Sequence, residues 1–381
     1  MIEIADRLKI VEEYYFSRKL AEIRSLQEQG ISIINLGIGS PDLRPPQKVI
    51  EAITMSFDDI KAHQYQSYQG LPELREAISV FYREQFSVHL SPMTEVLPLM
   101  GSKEGIMHIS MAFLNEGDEA LIPNPGYPTY ASVTKLIGAI PVSYNLDENG
   151  DWLPDLKELK TRDLSKVKIM WINYPHMPTG AKATEHLFEE IVDFARAHDI
   201  LIVNDNPYSF ILNNEPQSIL GVRKAKEVCL ELNSLSKTFN MAGWRVGMVL
   251  GHAKHIEAIL KVKSNMDSGM FFGIQTGAIE ALKCSNMWYV SLNSVYEQRR
   301  QLVWKIADAL NCTYNKTSAG LFVWAKLPPH FKSEEFIDIL LKENDIFIAP
   351  GTIFGSQGEG YVRFSLCAST EDLEEALARL L

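Results

Sequence analysis

Residues 234–247 read SLSKTFNMAGWRVG and hold the densest chemistry in the chain. Lys237 stands among Ser234 and Ser236, and Arg245 follows eight positions on. Alone, such a lysine is a solvated charge. In this setting its amine can form a Schiff base with an aldehyde, while the hydroxyls and the guanidinium hold a phosphate dianion. Nearby positive charge also depresses the amine's pKa and helps it act as nucleophile and base. Upstream, NDNPYSF sets Asp205 at the end of an apolar run, with Tyr208 three residues later. Asp205 alone fits a turn or cap residue. Beside Lys237 it can keep a pyridine nitrogen protonated, so that the ring accepts electrons, and a phenol can donate to the ring's phenolate oxygen.

The chain has 381 residues and a mass of 43.0 kDa, enough for two lobes or one large α/β domain. Hydrophobic residues are 46% and charged residues 22%, an ordinary globular balance. The formal net charge of −11 argues against nucleic acid or an anionic membrane as partner. No uninterrupted apolar run has membrane-spanning length. The opening MIEIADRLKIVEEYY is broken by charge and does not read as a secretory signal. Cys229, Cys284, Cys312 and Cys367 show no CxxC pairing, so neither a disulfide framework nor a metal cluster is expected, and a reducing cytoplasm fits.

Apolar runs of strand length alternate with helix-length segments up to about residue 280. The strand candidates are EVLPLM, EALIP, IPVSY, VKIMWIN, ILIVND, VCLELN and RVGMVL. Helices are expected at about 17–29, 72–86 and 185–198. This alternation predicts an α/β fold whose mainly parallel, seven-stranded sheet lies between helices. After Gln275 a long helix, about 286–310, leads into AGLFVWAKL, DIFIAPG and GYVRFSL, with helices near 333–343 and 371–381. A smaller α+β domain built from both chain ends is expected, because Ile31–Leu36 precedes the large sheet and needs a partner. The expected divisions are 1–45 (N-terminal arm and part of the small domain), 46–285 (large domain) and 286–381 (C-terminal small domain). GxGxxG after a strand, GxxxxGK[ST], HExxH and GxSxG do not occur.

The ordered motifs together resemble the pyridoxal 5′-phosphate (PLP) aminotransferases of fold type I, the aspartate aminotransferase superfamily, over roughly residues 30–370. The resemblance implies PLP as cofactor, with Lys237 forming the Schiff base, Asp205 pairing with the pyridinium nitrogen and Tyr208 donating to O3′. Ser234, Ser236 and Arg245 then bind the phosphate. GSKEG matches the phosphate loop: Gly101 permits the turn, and the amides of Ser102 and Lys103 face the anion at a helix start. In NPGYPTY, Tyr127 matches the aromatic that stacks on the cofactor ring. HQYQSYQGLPELREA matches a segment whose tyrosine, here Tyr65, reaches the phosphate of the neighbouring subunit's cofactor, which implies an obligate homodimer with shared sites. Arg363 of YVRFSL matches the bidentate partner of the substrate α-carboxylate, and Gly39 of GIGSPD the glycine whose backbone approaches it.

Two departures mark this chain. The family usually reads NPTG where this sequence has NYPHMPTG, so Met177 stands where an asparagine donates to O3′. A thioether cannot donate, which predicts a raised Schiff-base pKa; His176 is a possible substitute donor. Aspartate-type members carry an arginine for the distal carboxylate, yet KSNMDSGMFFGIQ (263–275) has none and looks closer to alanine and LL-diaminopimelate aminotransferases. Tyr15 and Phe16 are candidates for the side-chain pocket, beside plain core or dimer packing. The reaction implied is a ping-pong transamination between an L-amino acid and a 2-oxo acid, of alanine-, aromatic/neutral- or LL-diaminopimelate type. The alternatives are a C–S β-lyase on the same scaffold and a non-catalytic PLP-binding regulatory module. The acidic balance weighs against the second.

Overall fold

The computed structural model describes residues 2–11 and 15–381, and the side chain of Phe16 lies outside the described residues. The seven expected strands form one sheet in the order Val96–Leu99, Gly247–Gly251, Cys229–Ser234, Leu201–Asp205, Val167–Ile172, Glu119–Asn124, Ile140–Asn145. The last five in that order, Cys229–Ser234 through Ile140–Asn145, pair in parallel, and Gly247–Gly251 runs antiparallel to both its neighbours. Alternate residues of Val167–Ile172 serve opposite faces. Ile169 and Trp171 pack in one core, Met170 and Ile172 in the other. Both faces are covered, which is why these strands read as continuous apolar runs.

Local chemistry sets the helix ends. Pro72 occupies the first turn of Pro72–Phe86, and Ser87 closes it with φ 57°. Thr184 accepts from Leu187 N at the start of Glu185–His198, and Asp199, φ 55°, ends that helix. Ser369 accepts from Asp372 N ahead of Thr370–Leu380.

A separate core gathers the chain ends. Ile34–Asn35 pairs in parallel with Ile346–Phe347. A four-stranded antiparallel sheet follows, in the order Ala349–Pro350, Tyr361–Ser365, Phe322–Lys326, Thr313–Tyr314. Leu36, Phe322, Phe347 and Phe364 are buried there with Tyr296 of the long helix Asn286–Ala309. Tyr208 and Met177, from the other side of the chain, join the same core, so the two halves are packed together where the cleft opens. Among the described residues no helix is long and apolar enough to cross a membrane.

Candidate active site

The carboxyl ends of the parallel strands point into a cleft of about 610 Å³. Asp205 ends one strand and Ser234 its neighbour; the short helix Leu235–Thr238 then carries Ser236 and Lys237 into the same space. Arg245 follows the Ala242–Trp244 turn with φ 56°, and its Nη1 donates to the Ala242 carbonyl at 2.9 Å. Gly101, φ 89°, precedes the helix Ser102–Phe113, and a Cβ there would lie 2.1 Å from Arg245 Nη2. Only glycine lets the guanidinium lie against that helix start, where Ser102 and Lys103 line the cleft.

Lys237 Nζ donates to the Gly39 carbonyl at 2.6 Å. Burial is the largest cause of a lowered Lys237 pKa; Arg363 and Arg245 lower it further, while Asp205 opposes them. Asp205 is buried, and burial pushes its carboxyl up to about 7 against the opposing effects of Tyr130 and Lys237. Its Oδ2 accepts from the Tyr130 hydroxyl at 2.9 Å, and its Oδ1 is buried with no hydrogen-bond partner. Tyr208 is buried, and burial raises its phenol pKa, so it stays a donor.

Arg363 lies in the strand Tyr361–Ser365 and is buried. Nη2 donates to the Gly37 carbonyl at 2.7 Å, and Nη1 lies 3.4 Å from Met177 Sδ. Its guanidinium carbon is 3.9 Å from the Phe322 ring centroid and 4.7 Å from that of Phe354. Phe322 also meets Tyr208 edge-on, with centroids 5.9 Å apart. A Cβ on Gly39 would lie 2.3 Å from Phe322 Cζ. One aromatic ring therefore touches the arginine, the tyrosine and the glycine.

Gly39, Tyr127 and Met177 line the cleft with these groups. Two candidates lie elsewhere. Tyr65 is 91% exposed, outside the cleft. Tyr15 lines an adjoining cavity, which meets the cleft at Tyr127 and Phe354. His176 is not among the residues that line the cleft: it is buried, its Nδ1 pairs with Thr179 Oγ1 at 2.8 Å, and burial lowers its pKa to about 3. The amide that does reach the cleft is Asn173, but both its ends are engaged. Its Nδ2 donates to the Asp205 carbonyl, and its Oδ1 accepts from Met177 N at 2.8 Å. Asn173, Tyr130, Phe322 and Phe354 escaped the sequence reading; of these only Asn173, at the head of the NYPHMPTG loop, carried a local signal.

The model of the family described as aminotransferase class I and II matches residues 31–380. The chain belongs to that family. It is 38% identical to the LL-diaminopimelate aminotransferase of Aquifex aeolicus, over 100% of this chain and 99% of the relative. It is 40% identical to the enzyme of that name from Maridesulfovibrio salexigens, over 99% and 98%. Among solved structures, substrate-bound BacF from Bacillus subtilis superposes with a TM-score of 0.96 at 34% identity, covering 100% of this chain and 97% of that one. An aspartate aminotransferase mutant from Thermus thermophilus gives 0.92 at 26% identity, with both chains fully covered. This aminotransferase therefore has the fold type I architecture, and membership implies PLP.

Proposed function

We propose that this aminotransferase uses PLP bound in the cleft, through Lys237, to move an amino group from an L-amino acid to a 2-oxo acid. The observation that carries the assignment of the cleft is the orphaned Asp205 Oδ1. A buried polar atom without a partner is costly, and the protonated nitrogen of a pyridine ring satisfies it. The cradle formed by Gly101, Ser102, Ser234, Ser236 and Arg245 suits a phosphate, with the helix start of Ser102–Phe113 behind it. When bound, PLP supplies an aldehyde for the Schiff base and a ring that accepts electrons.

The protein's own groups divide the remaining work. Lys237 Nζ would hold the cofactor's aldehyde carbon and, when the substrate amine takes that place, would be free to take the substrate α-proton and later return it. Its lowered pKa favours the neutral amine that both tasks need. Tyr208 would donate to the ring's phenolate oxygen, and Tyr127 would pack on the ring face. Arg363 binds the α-carboxylate with a planar fork that the Phe322 and Phe354 rings hold in orientation. A fixed carboxylate keeps the Cα–H bond aligned for removal, which favours deprotonation over decarboxylation. Gly39 lets the substrate approach the backbone closely.

The exposure of Tyr65 suits a residue that completes a second subunit's phosphate site, so the working unit is read as a homodimer. Among donors, LL-diaminopimelate comes first, because relatives of that name are 38–40% identical over the full chain. The arginine-free stretch 263–275 argues against a dicarboxylate specialist. The deciding experiment mixes the PLP form with single amino acids and follows conversion to the pyridoxamine form. LL-diaminopimelate, alanine, glutamate, methionine and aromatic amino acids are compared. No conversion with any of them sinks the transaminase assignment; release of pyruvate and ammonia from cystathionine without an acceptor replaces it with a lyase.

A further inference from the structure

Tyr130 is fully buried in the helix Pro128–Leu136, and its hydroxyl donates to Asp205 Oδ2 at 2.9 Å. Its ring is fixed on two sides. Trp171, itself fully buried, stacks on it with centroids 4.9 Å apart and planes at 9°. Tyr127 meets it edge-on at 5.5 Å and 88°. Offset stacking and edge contacts of this kind favour a single ring orientation. The helix is braced locally as well, since Thr134 Oγ1 donates to the Tyr130 carbonyl at 2.8 Å. A carboxylate tied by one oxygen to an immobile phenol presents its other oxygen in a fixed direction. That other oxygen, Oδ1, is the buried orphan of the cleft.

We propose that Tyr130 is a positioning residue: its phenol fixes the Asp205 carboxylate and, by drawing negative charge toward Oδ2, sets how strongly Oδ1 competes for the proton on the cofactor's ring nitrogen. The inference rests on the reading above that PLP occupies the cleft. A donor to a carboxylate stabilises its charged form and makes it a weaker base. With the phenol present, the shared proton stays on the ring nitrogen, where it makes the ring an electron sink. Without it, Asp205 becomes more basic and the proton moves toward Oδ1. A phenol suits this task because burial raises its pKa well above the ordinary value, so it remains a donor. Trp171 and Tyr127 act through Tyr130 by keeping it in place.

The test uses the holoenzyme loaded with PLP labelled with ¹⁵N in the ring, and reads the ring-nitrogen resonance together with the PLP dissociation constant. Tyr130→Phe removes only the hydroxyl. Its resonance is expected to move toward that of neutral pyridine, and PLP to bind roughly tenfold more weakly, the scale of one lost hydrogen bond to a charged group. Incorporating 3-fluorotyrosine at position 130 keeps the shape and strengthens the donor, so the resonance should move the opposite way. A merely structural role for Tyr130 predicts no such opposed pair of shifts. Resonances at the wild-type position in both proteins, or shifts of the same sign, overturn the proposal. If Tyr130→Phe fails to fold, the fluorinated protein decides alone: a shift away from neutral pyridine supports the proposal and an unmoved resonance overturns it. Wild-type protein that binds no PLP refutes the cofactor reading itself, a separate result.

Discussion

Met177 Sδ lies 3.4 Å from Arg363 Nη1, while Nη2 of the same guanidinium donates to the Gly37 carbonyl at 2.7 Å. A thioether is a weak acceptor and no donor. It occupies the position where the family places an asparagine, so it shields one guanidinium edge while offering the ring's phenolate oxygen nothing. Asn173 is tied at Nδ2 by the Asp205 carbonyl and at Oδ1 by Met177 N, so its orientation is set by those two partners. Met177→Asn should therefore lower the pH at which the bound cofactor's absorbance changes, since the new amide stabilises the phenolate form. A spectrophotometric pH titration of both holoenzymes checks this, and an unmoved midpoint refutes it.

Lys237→Ala should form no Schiff base and lose at least about 10³-fold in rate, as loss of a central catalytic group does elsewhere. PLP is then captured only through its phosphate and ring contacts, so the absorbance of free aldehyde is the expected signature. Near-normal turnover in this variant would falsify the assignment. The Lys237 contact with the Gly39 carbonyl at 2.6 Å adds a control. Loss of that single contact is too small a change to account for a thousandfold fall.

Much of this site was legible because its groups sit on short, punctuated motifs. Strand-ending Asp205, the SLSK turn and the Gly-Ser-Lys helix start each announce themselves locally. Six of the seven strands were legible for a related reason: buried on both faces, they run apolar along their length between polar breaks, whereas the edge strand Ile140–Asn145 buries only Tyr144. Tyr130 and Phe322 were not legible. Each gains its role from a contact made by a distant segment, Tyr130 with Asp205 and Phe322 with Gly39 and Arg363. The surroundings of His176 were not legible for the same reason in reverse. Its own loop turns it inward onto Thr179, which spacing alone does not reveal.

Arg363→Lys keeps the charge but loses the fork and the stacking on Phe322 and Phe354. The KM for the amino acid should rise by at least about tenfold, the cost of one charge-assisted hydrogen bond, while PLP affinity stays within about twofold. Steady-state kinetics and a cofactor titration separate the two. An equal loss of both would place Arg363 in cofactor binding instead.

Gly39→Ala drives a Cβ into Phe322, whose ring is held by Arg363 and Tyr208 and has no easy retreat. The variant should raise KM more than it weakens PLP, because the displaced ring disturbs the carboxylate clamp first. Phe322→Leu in the same chain removes the clash. The double variant should recover part of the loss, with a coupling of about 1 kcal/mol or more in a double-mutant cycle. Strict additivity would show that the two residues do not act through this contact.

Asp205 gives the apo protein a pH-dependent weakness whose sign is fixed by its pKa. The carboxyl is raised from 3.8 to about 7 by burial, so the folded state holds its proton more tightly than the unfolded chain does. Its contribution to folding is then fully present below about pH 4 and is lost as pH rises through about 7. Asp205→Asn replaces the carboxyl with a neutral group of the same shape. At pH 8 the apo variant should melt several degrees above apo wild type; by pH 5, where the folded Asp205 is protonated, the gap should have shrunk by about half or more, closing only toward pH 4. Adding PLP should reverse the order at pH 8, because the pyridinium then pairs with the wild-type carboxylate and finds no charge in the variant. Thermal unfolding of the four samples between pH 5 and pH 8.5 decides it; a gap independent of pH would mean that the Asp205 carboxyl is already ionised in the apo fold at pH 5.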